Sequence, residues 1–295
     1  MAQITTPSGI TIEYDTFGDP THPAVLLVSG FTAQMIGYAE GFCQMLADGG
    51  RHVIRYDNRD CGLSTKLDGV TVDMAALTAA VLAGDRVAAR AVVPYTLSDM
   101  ATDGMDLLSA LNIDRAHVAG SSMGGMIVQM MAIEHPHRAL TMTSIMSTTG
   151  EHDYGQSTPE ARAELMAAPP ADREGYVNAA GQRTLWMSKR YTQPAVLRAQ
   201  AAAAYDRSFY PEGAGRQMAA IMATGSRADA LRALTVPTLV IHGLDDTLIA
   251  PSGGRRTAEL VPGATLLEVP DMGHDRPQPL WPQLTGAILG HTATA

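Results

Sequence analysis

Apolar positions along this chain alternate between strand-like and helix-like patterns. Ile10 to Phe17 alternates apolar and polar residues before Gly18-Asp19-Pro20, the pattern of a half-exposed strand ending in a turn. Ala24-Val25-Leu26-Leu27-Val28 is apolar throughout, as expected of a strand covered on both faces, and Gly30 ends it. A helix is predicted from Tyr38 to Ala47, before Asp48-Gly49-Gly50, whose glycines can supply a C-cap. His52 to Tyr56 is the next strand. Strand, helix, strand in this rhythm implies right-handed crossovers and a largely parallel sheet.

Residues 66–94 interrupt the rhythm with an alanine-rich segment, and Met74 to Val92 reads as one helix with a glycine break at Gly84. Thr96-Leu97 opens a helix through Leu111, with Leu97, Met100, Met105, Leu107, Leu108 and Leu111 as its apolar positions. A strand over 116–120, a helix over 123–135 and a strand from Leu140 to Met146 follow. From about 150 to 229 the chain becomes alanine-, arginine- and methionine-rich helix, punctuated by Pro169-Pro170 and Pro211-Glu212-Gly213. Strand patterns resume at Pro237 to Ile241 and Thr265 to Val269. The middle segment reads as a helical insertion into a sheet domain.

Composition narrows the classes. A chain of 295 residues with 46% hydrophobic residues suits one α/β core carrying an insertion. A net charge of −9 without a basic cluster argues against a nucleic-acid partner. Two cysteines make no disulfide framework. Cys43 reads as a small buried apolar residue, and Cys61, in a polar loop, as an inert or a reactive thiol. The first residues lack the basic and apolar regions of a signal peptide, and no apolar run is long enough to span a bilayer. A cytoplasmic location is the default expectation, and a homodimer is left open.

The chemistry concentrates at Gly120-Ser121-Ser122-Met123-Gly124, a G-x-S-x-G frame between a strand and a helix. A serine on such a tight turn takes a strained backbone with its hydroxyl clear of the sheet, and only glycine fits two residues to either side. The frame selects Ser122, not Ser121. A nucleophilic serine needs a base and a carboxylate to orient it. After the last strand comes Asp271-Met272-Gly273-His274, and of nine histidines only His274 stands behind a glycine in a turn before a final helix. For His117 and His242, in or at the end of strands, a structural role is favoured, as it is for His22, His52, His135 and His137. After strand 237–241, two carboxylates compete, Asp245 and Asp246. The helix behind Ser122 points free N–H groups at a developing oxyanion, so Met123 N–H is one expected donor. Phe31 N–H, in the Ser29-Gly30-Phe31 loop, is the other.

Together, Ser29-Gly30-Phe31, Asp57-x-Arg59-x-x-Gly62-x-Ser64, Gly120-x-Ser122-Met123-Gly124-Gly125, Gly243-x-x-Asp246 and Gly273-His274 resemble the α/β-hydrolase fold superfamily over nearly the whole chain. The resemblance implies a mostly parallel eight-stranded sheet with helices on both faces and a helical cap. Residues 1–149 and 230–295 would form the core and 150–229 the cap. It also implies a Ser122, Asp246, His274 triad, Asp246 standing three residues past Gly243, with Asp245 as a solvated neighbour. The pattern departs from the commonest one at Ser29-Gly30, where His-Gly is usual, and at Arg59-Asp60, where Arg-Gly is usual. The Arg-Asp variant resembles a bacterial branch that includes anthracycline methyl esterases and mycobacterial lipase/esterase-like proteins. The implied activity is hydrolysis of a small to medium apolar carboxylic ester or lactone through an acyl-enzyme on Ser122, with no metal or cofactor. The same triad also serves C–C bond hydrolases, cofactor-free perhydrolases and slow-turnover receptors. Substrate choice is expected in the cap. Its Met166, Trp186, Met187, Tyr191, Tyr205, Phe209, Tyr210, Met218 and Met222 are candidate lining residues, while Arg183, Arg216 and Arg227 are expected to pair with neighbours or face water.

Overall fold

A computed structural model describes residues 1–293. Among these, eight strands form one sheet: β1 (Ala2–Thr5), β2 (Thr11–Phe17), β3 (Ala24–Val28), β4 (His52–Tyr56), β5 (Ala116–Ser121), β6 (Ala139–Ile145), β7 (Thr238–Gly243) and β8 (Thr265–Val269). Their spatial order is β1-β2-β4-β3-β5-β6-β7-β8. β2 pairs antiparallel with both β1 and β4, and every other pairing is parallel. β1 is short, mostly exposed and polar, so the hydrophobic pattern gives it no signal.

The continuous apolar runs are explained by cover on both faces. Val25 and Leu27 of β3 pack with Phe42, Leu46, Leu284 and Ile288, whereas Leu26 and Val28 pack with Leu97, Met105, Leu108 and Met131. Alternate residues of one strand thus enter two separate cores, as the period of two requires. The expected single helix over 74–92 is two, Met74–Leu82 and Arg86–Ala91. Gly84 turns between them at φ 69°, and the Asp85 carboxylate caps the second helix by accepting from Ala88 N–H.

Between β6 and β7 the chain forms helices Pro159–Met166, Arg173–Gln182, Pro194–Arg207, Gly213–Thr224 and Ala228–Arg232. Two of them are tied to the sheet domain by buried polar contacts. The Arg216 guanidinium donates two bonds to the Asp60 carboxylate, both at 2.8 Å, and Arg207 Nη1 reaches Asp57 Oδ2 at 2.6 Å. Among the described residues, no helix is long and apolar enough to cross a membrane.

Candidate active site

β5 stops at Ser121 and a helix starts at Met123, leaving Ser122 alone on the turn at φ 57°, ψ −121°. The flanking glycines are required by close packing. A Cβ on Gly120 would lie 2.1 Å from Gly124 O, and one on Gly124 would lie 2.1 Å from Val28 O. Both neighbours are backbone, which cannot yield. Ser147 Oγ donates to Ser122 O at 2.8 Å and fixes the turn from β6's side.

Ser121 has other business. Its buried Oγ stands 2.6 Å from Tyr38 OH and accepts from Arg276 Nη1 at 2.6 Å. Sequence reasoning passed over Arg276. It lies two residues beyond His274, stacks on the Tyr38 ring at 4.1 Å and donates to Gly37 O. A basic residue just past the histidine was the one signal available.

His274 Nδ1 is 2.7 Å from Asp246 Oδ2. Asp246 is buried, and its other oxygen accepts from Leu248 N–H and Ile249 N–H, each at 2.9 Å. Burial pushes the Asp246 carboxyl up, but the charge and hydrogen bond of His274, with the His242 ring close by, override it, holding the group below the ordinary carboxylate value. An ionised Asp246 can only accept, so His274 Nδ1 carries a proton, and in the neutral ring Nε2 is then the nitrogen with the lone pair. The fully buried His242 donates through Nε2 to Ile249 O at 2.8 Å and stands 3.5 Å from Asp246 Oδ2.

Asp245 is not simply solvated. It faces Lys189 Nζ at 3.1 Å and accepts from Lys189 N–H at 3.0 Å. The His274 turn is also held from the insertion: His274 N–H donates to Trp186 O, and Ser188 N–H donates to Asp275 Oδ1. A Cβ on Gly273 would stand 2.4 Å from Trp186 O, so only glycine lets the turn approach.

Ser122 and His274 line one cavity of about 900 Å³. Among the described residues, no hydrogen bond joins their side chains. Gly30 abuts the serine: a Cβ there would lie 3.1 Å from Ser122 Cβ. Among the described residues, neither Phe31 N–H nor Met123 N–H donates to a protein acceptor, and both residues line the cavity. Of the candidate lining residues, Trp186, Met187, Tyr191 and Met218 face the cavity. Tyr205 and Phe209 instead stack at 4.6 Å between centroids, Tyr210 binds Asp68 and Arg216, Met222 packs in a separate apolar cluster, and Met166 is exposed. Arg183 also lines the cavity and pairs with Glu164 at 3.7 Å. Arg227 is buried on Gln129, Gly225 and Thr148 oxygens.

Neither thiol is poised to react. Burial pushes Cys43 up to about 12 and Cys61 higher still. Cys61 Sγ donates to Thr32 O at 3.3 Å.

A family model described as the alpha/beta hydrolase fold matches residues 23–275. The chain is 26% identical over 317 residues to rhodomycin D methylesterase DauP of Streptomyces sp. (strain C5), covering 98% of this chain and 97% of the relative. Among solved structures it is similar to the meta-cleavage product hydrolase CumD from Pseudomonas fluorescens IP01, with TM-score 0.78, 18% identity and coverage of 100% and 98%. It is likewise similar to the enol-lactonase from Burkholderia xenovorans LB400, with TM-score 0.76, 19% identity and coverage of 99% and 100%.

Proposed function

The chain belongs to the α/β-hydrolase fold family, and from that premise we propose that it is a serine hydrolase cleaving a carboxylic ester. The observation that carries the reading is that Ser122, in its strained turn, and the Asp246-bound His274 line the same cavity. In this reading His274 Nε2 removes the proton of Ser122 Oγ as the oxygen attacks the carbonyl carbon. Asp246 keeps the imidazole in the required tautomer and offsets the charge it gains. Phe31 and Met123 N–H groups receive the tetrahedral oxyanion. The imidazolium then protonates the leaving alcohol, and water repeats the sequence on the acyl-enzyme.

The insertion over 150–229 acts as a cap that selects the substrate. A cavity of about 900 Å³ with Trp186, Met187, Tyr191 and Met218 in its wall suits a bulky, mostly apolar acyl part. Similarity to a methylesterase along nearly the whole chain favours a small alcohol, as in a methyl ester. The test is a panel of p-nitrophenyl esters of increasing chain length, an aryl methyl ester and a lactone, run on the wild type and Ser122→Ala. Multiple turnovers by the wild type and none by Ser122→Ala are expected; ester turnover by Ser122→Ala at the wild-type rate would sink the assignment.

A further inference from the structure

The helix Gly213–Thr224 holds the loop that carries Phe31. Thr32, the next residue, has φ 56°, in the left-handed region that a β-branched side chain rarely enters. Its N–H does not turn to the cavity but donates to Gln217 Oε1 at 2.8 Å. Gln217 is fully buried, and its Nε2 donates in turn to Arg59 O at 2.9 Å. The amide therefore has one usable orientation, oxygen to Thr32 and nitrogen to Arg59, because one partner is a donor and the other an acceptor.

Of the two successive N–H groups after Gly30, one is thus bound to a side chain, while among the described residues the other, on cavity-lining Phe31, has no protein acceptor. We propose that Gln217 is a positioning residue for the oxyanion site, acting through Thr32. By holding Thr32 in its strained conformation it aims Phe31 N–H at the carbonyl oxygen above Ser122. The inference rests on the serine-hydrolase reading. The helix itself is anchored beneath: Arg216 pairs with Asp60, and a Cβ on Gly213 would lie 2.1 Å from Asp60 O. Met218 and Ile221 of the same helix line the cavity, so one rigid element contacts both the substrate space and the oxyanion loop.

The test compares Gln217→Met, which keeps length and removes both bonds, with Gln217→Glu, which keeps an acceptor for Thr32 and, as the neutral acid favoured by full burial, a donor for Arg59 O. With p-nitrophenyl butyrate, Gln217→Met is expected to lower kcat about 10- to 100-fold with KM changed less than about threefold, since loss of aim falls short of losing a donor outright. Affinity for a boronic acid that forms a tetrahedral adduct on Ser122 should fall by the same factor. Gln217→Glu should keep most of kcat. Wild-type kcat in Gln217→Met, or a kcat loss with boronate affinity unchanged, overturns the proposal. If Gln217→Met fails to fold, Gln217→Asn, whose amide is one methylene short, replaces it; equal kcat in Gln217→Asn and Gln217→Glu then overturns it. Ser122→Ala separates the two readings: its turnover of esters removes the serine mechanism, whereas an inactive Ser122→Ala beside an unimpaired Gln217→Met removes only the role of Gln217.

Discussion

Asp246 Oδ2 and His274 Nδ1 meet at 2.7 Å across 28 residues of sequence, while Asp245, the adjoining carboxylate, is turned toward Lys189. Two neighbouring acids on one loop therefore have opposite attachments. Asp246→Asn is expected to lower kcat by on the order of 10³- to 10⁴-fold, because an amide can donate to His274 and stabilise the wrong tautomer. Asp245→Asn leaves kcat within about threefold, losing only a half-exposed ion pair. Steady-state kinetics on both variants decide the matter; equal losses would remove Asp246 from the orienting role.

Steric need and conformational need for glycine can be told apart in this chain. Gly124→Ala drives a Cβ to 2.1 Å from Val28 O, and a loss of more than about 3 kcal/mol or failure to fold is expected. Gly50→Ala, with φ 80° and nothing within 4 Å of its Cβ, should cost only about 1 kcal/mol. Urea unfolding of the two variants measures the difference; similar midpoints would refute the packing account.

The Arg216–Asp60 pair is buried at both ends. Arg216→Met leaves the Asp60 carboxylate without its cation and is expected to destabilise the fold by about 3–5 kcal/mol. Adding Asp60→Asn restores part of that loss, since Asn can still serve Tyr95 OH and Leu67 N–H, which bond Asp60 at 2.7 and 2.9 Å. A double-mutant cycle by thermal or urea unfolding checks it; strict additivity would mean that the pair is not coupled.

Acid should weaken the fold through His117. Burial, with the charges of nearby Arg51, His291 and Arg115, lowers this histidine to about 4 from its ordinary 6.5. Between those values the unfolded chain binds a proton that the folded chain refuses, so stability is full above about pH 6.5 and falls as pH drops toward 4. The loss between about pH 7 and pH 5 is roughly 2 kcal/mol. His117→Gln, which can still reach Thr141 Oγ1, the 3.0 Å partner of Nδ1, should flatten that dependence in urea titrations. An unchanged slope would exclude His117 as its source.

Much of this architecture is legible in the chain because its signals are local. The five-residue apolar run of β3 and the run into β5 announce strands covered on both faces, and Gly120 and Gly124 announce a turn too tight for a side chain. β1 was silent because Ala2–Thr5 buries almost nothing. The candidate lining residues of the insertion are divided by packing: Trp186 and Met218 line the cavity, whereas Tyr205 and Phe209 stack on one another. Helical spacing alone does not separate those outcomes, since both faces of a packed helix carry apolar residues.

The sequence by itself determined the succession of strands from β2 to β8, the frame around Ser122, and the presence of a glycine-led His274 after the last strand. Each follows from burial period or steric room within a few residues. The tertiary structure alone decided that Asp245 turns to Lys189, why Ser121 is occupied by Tyr38 and Arg276, and that Gln217 reaches Thr32 across 185 residues. Those relationships arise from distances between segments remote in the chain. A buried donor or acceptor takes its partner from whatever folding brings within 3 Å or so, and no local pattern records that choice.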